Sequence, residues 1–158
     1  MNDMKLETVY WMSRRDAERA TLDPTAAWIS ITDPALPEAN IQRFAESEIL
    51  RLKFHDADGN HSVVMDGTPK DQLTYFGMTH ALAVLDFLDR VSHTVTHINV
   101  HCEGGVPRSA AVARFIAEWY QLKKSFDYME SYSLYNKYVY NALRSVAYAR
   151  LMGRQIKD

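Results

Sequence analysis

A chain of 158 residues with 47% hydrophobic and 24% charged side chains, six Gly and five Pro has the make-up of an ordinary globular protein, which excludes collagen-like, low-complexity and disordered classes. At this length a single domain spanning residues 1–158 is expected, and no stretch approaches the roughly 18 apolar residues of a membrane span. Net charge is −2, divided as 9 basic and 16 acidic side chains over residues 1–107 against 9 basic and 4 acidic over 108–158. This balance argues against broad nucleic-acid binding, while the basic C-terminal part suits local steering of a small anion. The opening MNDMKLETVY carries acidic residues where a secretory leader has a basic and then an apolar segment, so a cytoplasmic protein with no membrane association is expected. Cys102 is the only cysteine, which rules out an internal disulfide and leaves packing or thiol chemistry as its use.

Taken in chain order, Thr8 to Met12 is rich in β-formers and Arg14 to Ala20 reads as a short charged helix. Ala27 to Ile31 is an apolar strand stopped by the turn formers of Thr32-Asp33-Pro34 and by Pro37. Ile49 to Phe54 alternates with period two and runs into His55-Asp56-Ala57-Asp58-Gly59-Asn60, a polar loop at the C-terminal end of a strand. Ser62 to Met65 reads as a short edge strand. Thr68-Pro69-Lys70-Asp71 has the order of a helix start, and Leu73, Phe76, His80, Val84, Phe87, Leu88 and Val91 keep one face of the long helix predicted after it. A buried strand follows over Thr94 to Val100, and Val112, Phe115, Ile116 and Trp119 recur at helical spacing beyond it. A last helix is predicted from Ser133 to Met152, with Tyr135, Tyr138, Val139, Ala142 and Val146 as its stripe and Gly153 as its stop. Strands alternating with helices predict an α/β fold, a central mostly parallel sheet flanked by helices.

The chemistry concentrates between the buried strand and the helix after it, in Val100-His101-Cys102-Glu103-Gly104-Gly105-Val106-Pro107-Arg108-Ser109. A loop that ends at a helix N-terminus points backbone N–H groups inward, where the helix dipole favours a dianion. Arg108 offers a planar fork for two phosphoryl oxygens, and the same positive surroundings favour the thiolate of Cys102, the competent nucleophile. Gly105 admits a backbone conformation that a side chain would obstruct.

His101-Cys102-x-x-Gly105-x-x-Arg108-Ser109 resembles the signature of the cysteine-dependent protein tyrosine phosphatases, in particular the small dual-specificity branch with its bacterial and phage representatives. The resemblance covers roughly residues 49–145 and implies the cysteine-phosphatase form of the α/β fold, with no metal and no cofactor. It implies that Cys102 attacks phosphorus, that Arg108 and the loop Glu103, Gly104, Gly105, Val106 and Pro107 hold the phosphate, and that Ser109 assists thiolate release. His101 would orient the loop. The general acid of the family follows a strand like Leu50 to Phe54, which favours Asp56, with Asp58 and Asp66 as alternatives. Asn136 resembles an Asn at the start of the family's last helix, with a structural role. The substrate implied is a phosphorylated protein or a small phosphomonoester, and Glu103 in a loop without Lys argues against polyanionic phosphoinositides. Oligomeric state is not legible in the sequence.

Three other readings compete. His93, His97 and His101 are spaced by four beside Cys102, yet on a strand His97 and His101 share a face while Cys102 points to the other, so a metal site is not expected. A rhodanese-like sulfurtransferase also carries a loop cysteine at a helix start, but Arg108-Ser109 and an upstream acid suit phosphate better. A phosphate-binding pseudophosphatase would keep Arg108 and lack the nucleophile or the acid.

Overall fold

The computed structural model describes residues 3–41, 48–104, 107–125 and 133–157. Its elements run β1 (Thr8–Ser13), α1 (Arg14–Arg19), β2 (Ala26–Thr32), β3 (Ile49–Lys53), β4 (Asp56–Ala57), β5 (Ser62–Val63), a 3-10 turn (Lys70–Gln72), α2 (Met78–Val91), β6 (His97–Cys102), α3 (Pro107–Trp119) and α4 (Lys137–Lys157). Strands β1, β6, β2 and β3 form, in that order, a four-stranded sheet in which every pairing is parallel. The expected α/β class and flanking helices are therefore observed. Strand β4 pairs antiparallel with β5 in a separate two-stranded hairpin, so the polar loop expected after β3 carries a little regular structure of its own.

Parallel strands covered on both faces lose the alternation of a half-exposed sheet, and all seven residues of β2 are buried. On one face Ala27, Ile29 and Ile31 of β2 and Ile98, Val100 and Cys102 of β6 meet Val84, Leu88 and Val91 of α2, Val112, Phe115 and Ile116 of α3, and Val139 and Leu143 of α4. On the other, Trp28 packs with Ala17 of α1, Ile41 and Ile49 in a smaller cluster. Ser13 caps α1 by accepting the N–H of Asp16 at 3.1 Å.

Helix α2 begins at Met78, nine residues later than Pro69, the first helical position expected from sequence. Lys70 to Gln72 makes only a 3-10 turn, and the chain then stays extended because Thr74 is bound to the end of β3. Its C=O accepts the His55 N–H at 2.8 Å, and its N–H donates to His55 Nδ1 at 2.9 Å. This lets Phe76 reach Phe54, edge to face with centroids 5.0 Å apart. His80 supplies the cap: Nδ1 accepts the Gly77 N–H at 3.0 Å and Nε2 donates to the Lys53 carbonyl at 3.1 Å. Strand β6 starts at His97 because the N–H groups of Thr94 and Val95 turn back to the Val91 carbonyl. Helix α4 starts after Asn136, whose Oδ1 accepts the Val139 N–H at 3.0 Å, so Tyr135 precedes it. Its buried stripe is Val139, Tyr140, Leu143 and Ala147, with Tyr138 exposed. The helix continues past Gly153, which does not take the positive φ of a terminating cap.

Candidate active site

In a parallel sheet the carboxyl ends of all strands share one edge, where ligands of α/β proteins bind. The register places Cys102, the last residue of β6, opposite Ser13 of β1, and pairs His101 with Ser30 of β2. Thr32 of β2 pairs with Lys53 of β3, so Asp33 and the segment Phe54 to Asp56 emerge beside Cys102 at the same edge. Helix α3 starts from that edge, with Pro107 at a position where its missing N–H costs nothing. Gly105 and Val106, expected in the phosphate loop, lie outside the described residues.

Cys102 is buried, and its thiol donates to Ser109 Oγ at 3.3 Å. Behind it, His101 is fully buried and donates from Nδ1 to the Cys102 carbonyl at 3.3 Å, which leaves Nε2 to accept the Ser30 hydroxyl at 2.6 Å. Burial pushes its pKa down from 6.5 to about 4, so this imidazole is neutral at pH 7. His101 thus braces the strand end and brings no positive charge to the thiol.

Arg108 is 3% exposed, and both protons of its Nη1 are engaged. One goes to Asp33 Oδ1 at 2.7 Å and the other to the Phe54 carbonyl at 2.6 Å, while the guanidinium lies 6.0 Å from the centroid of the Phe54 ring. The remaining edge, Nε and Nη2, has the fork geometry that matches two oxygens of a phosphoryl group. Asp33, which the sequence suggested only as a turn former, is therefore part of the site. The available signal was its place directly after an apolar parallel strand.

The three aspartates considered as the acid lie in different surroundings. Asp56, on β4, is partly buried and accepts from Asn136 Nδ2 at 2.9 Å. Burial raises its pKa, opposed in part by the Asn136 hydrogen bond and the Arg108 charge. Asn136 also donates its backbone N–H to the Pro107 carbonyl at 2.8 Å, so one residue spans the acid, the start of α3 and the start of α4. Asp58 sits in the hairpin turn and accepts the N–H groups of His61 and Asn60, which lower its pKa. Asp66 is buried at its carboxylate. Burial works against its charge, but the N–H groups of Ala35 and Thr68, the Thr68 hydroxyl and His55 more than offset this and hold it well below the usual carboxylate range. Since His55 Nδ1 accepts from Thr74, Nε2 bears the proton and donates to Asp66 at 3.0 Å.

Asp33, His55 and Asp66 bring one ligating atom each within 4.8 Å of one another. As they stand these atoms are committed to Arg108, to backbone donors and to each other, so the cluster forms a hydrogen-bonded network around a resident cation, Arg108. Glu103 is paired as well: its carboxylate accepts from Arg14 Nη1 at 3.1 Å, and its carbonyl accepts the Arg14 N–H at 3.3 Å. That pairing removes the basis for expecting Glu103 to repel a polyanionic substrate.

A cleft of ≈ 610 Å³ opens beside Asp56, with Val63, Pro107, Leu134, Tyr135 and Asn136 among its lining. Among the described residues no helix is long and apolar enough to cross a membrane. Comparison with protein families and with curated proteins gives no match to this chain.

Proposed function

We propose that this protein is a cysteine-dependent phosphomonoester hydrolase of the protein tyrosine or dual-specificity type, acting through a cysteinyl-phosphate. The observation that carries the reading is the linked set at the carboxyl edge of the sheet. Cys102 contacts Ser109, Arg108 reaches Phe54 two residues before Asp56, and Asn136 joins Asp56 to Pro107. Thiol, guanidinium, hydroxyl and a carboxyl whose pKa is raised by burial thereby stand in one neighbourhood. A sulfurtransferase has no use for the carboxyl, and a binding module has none for the thiol.

In this mechanism the Cys102 thiol gives its proton to solvent, the resulting thiolate attacks phosphorus in line, the P–O bond to the leaving group breaks, and Asp56 delivers its proton to the departing oxygen. The Nε and Nη2 edge of Arg108 and the amino end of α3 hold the equatorial oxygens as charge shifts onto them. Water then attacks phosphorus with the Asp56 carboxylate taking its proton, the S–P bond breaks with its electron pair leaving on sulfur, and the acid is regenerated as inorganic phosphate is released. Ser109, which accepts from the thiol in the resting site, turns its hydroxyl to donate to the departing thiolate. The apolar residues of the cleft favour an aryl group next to the phosphate, as in phosphotyrosine.

The test is hydrolysis of para-nitrophenyl phosphate and of a phosphotyrosine peptide by the purified protein. Wild type is expected to turn over both, and Cys102→Ser to lose on the order of 1,000-fold or more while still binding an oxyanion. Absence of turnover in wild type with oxyanion binding intact would identify a phosphate-binding module instead, and sulfur transfer from thiosulfate would identify a sulfurtransferase.

A further inference from the structure

We infer that Asp33 is a positioning residue for the phosphate site: it fixes the rotation of the Arg108 guanidinium and ties it to the hairpin that bears Asp56. The inference rests on the phosphate-site reading of Cys102 and Arg108 given above.

Asp33 is fully buried and stands one residue past the end of β2. Its two oxygens face different elements. Oδ1 accepts from Arg108 Nη1 at 2.7 Å, and Oδ2 accepts the N–H of Met65 at 3.0 Å. Met65 lies two residues beyond β5, whose partner strand β4 holds Asp56. Next to Met65, Asp66 fastens the same segment to the N–H of Ala35 at 3.0 Å, two residues past Asp33. The carboxylate therefore holds a guanidinium on one side and the base of the acid-bearing hairpin on the other.

A guanidinium carries five protons in a plane, and spinning it about its terminal torsion changes which edge faces a ligand. Here Nη1 has two fixed acceptors on two strands' ends, Asp33 and the Phe54 carbonyl, so the plane is locked and the Nε and Nη2 edge is presented. The Phe54 carbonyl cannot be altered by substitution, which leaves Asp33 as the side chain whose chemistry sets the lock. A carboxylate is required because only it accepts on both sides. An asparagine amide turns an NH2 group either toward the cation or toward the Met65 N–H.

The test is a double-mutant cycle read by calorimetric binding of tungstate, a non-hydrolysed oxyanion, to the full chain at pH 7, with urea unfolding measured on each variant. Asp33→Asn is expected to weaken tungstate binding about tenfold. In the Arg108→Lys background, where no planar fork remains to be oriented, the same substitution is expected to cost less than about twofold. Equal losses in both backgrounds, or unchanged affinity in Asp33→Asn, would overturn the inference, since a purely structural ion pair predicts one or the other. If Asp33→Asn does not fold, Asp33→Glu takes its place. The charge is kept but displaced by one methylene, so a loss of about threefold or more with an unshifted urea midpoint supports the lock, and wild-type affinity refutes it. If wild type neither binds tungstate nor hydrolyses para-nitrophenyl phosphate, the phosphate-site reading itself falls, and the inference with it. Turnover in wild type with an indifferent Asp33 removes the inference alone.

Discussion

His101 gives the sharpest quantitative expectation, because it is buried, uncharged and directly attached to the strand end that carries Cys102. Protonating it places a cation in a buried site where its hydrogen-bond partners among the described residues are the Ser30 hydroxyl and the Cys102 carbonyl, with Arg14 and Arg51 opposing the charge and Glu18 favouring it. Its folded pKa of about 4 lies below the ordinary 6.5, so the unfolded chain binds the proton more readily and stability falls as pH drops through that window. At pH 5 the unfolded imidazole is almost wholly protonated and the folded one about one-tenth so. The difference is worth about 2 kcal/mol, rising to about 3 kcal/mol below pH 4. Asp56, with its raised pKa, contributes in the opposite sense: its stabilisation is present at low pH and fades as pH rises through its folded value. Comparing wild type with His101→Gln cancels that contribution. The amide oxygen of Gln still accepts the Ser30 hydroxyl, and Gln does not titrate. Urea unfolding at pH 7 and pH 5 should show wild type losing about 2 kcal/mol more than His101→Gln over that interval. Equal losses in the two proteins would refute a neutral, buried His101 and the bracing role drawn from it.

Four further outcomes are expected. Asp56→Asn should abolish the alkaline limb of the pH–rate profile on an alkyl phosphate and have a smaller effect on para-nitrophenyl phosphate, whose leaving group needs little protonation. Asn136→Ala removes a donor that stabilises the Asp56 carboxylate, so the alkaline limb should move to higher pH, with about 1 kcal/mol of stability lost from the α4 cap and read by urea unfolding. Asp66→Asn should lower the urea midpoint at pH 7 and leave the alkaline limb in place, whereas a vanished limb would make Asp66 the acid. Arg14→Ala should weaken tungstate binding about three- to tenfold by leaving the Glu103 charge unpaired near the anion, and Glu103→Gln in the same chain should restore it.

The parallel sheet and its helices were legible where local pattern and tertiary need agree. Strand β6 is an apolar run, α3 has helical spacing after a Pro, and α1 follows a Ser cap. Misreadings arose where a long-range bond overrode local preference. Thr68-Pro69-Lys70-Asp71 has the order of a helix start, yet Thr74 is held by His55, 19 residues earlier in the chain, and the helix waits for Gly77 and His80. Gly153 has the composition of a stop, but its backbone stays helical and the helix runs on to Lys157. Asp33 went unrecognised for a related reason. Asp before Pro after a strand is the usual composition of a turn, and its partner Arg108 is 75 residues away.

The choice among the three aspartates shows how environment assigns roles that residue identity leaves open. A general acid must hold its proton near neutral pH and release it to a leaving oxygen, so it needs burial without an excess of donors. Asp66 is buried but receives donors on both oxygens, which fixes it as an anion and makes it a tether between the hairpin, Ala35 and His55. Asp58 has solvent and two backbone N–H groups, which hold its turn and favour its charged form. Asp56 alone of the three combines partial burial with, among the described residues, a single side-chain donor, Asn136, and it lines the open cleft next to Pro107. The Arg108 charge keeps its pKa from rising further, and a bound phosphoryl dianion would oppose that charge. Substrate binding should therefore raise the Asp56 pKa and load the proton at the moment it is needed. The alkaline limb of kcat should accordingly lie at higher pH than that of kcat/KM, and coincident limbs would show that Asp56 is protonated independently of the anion.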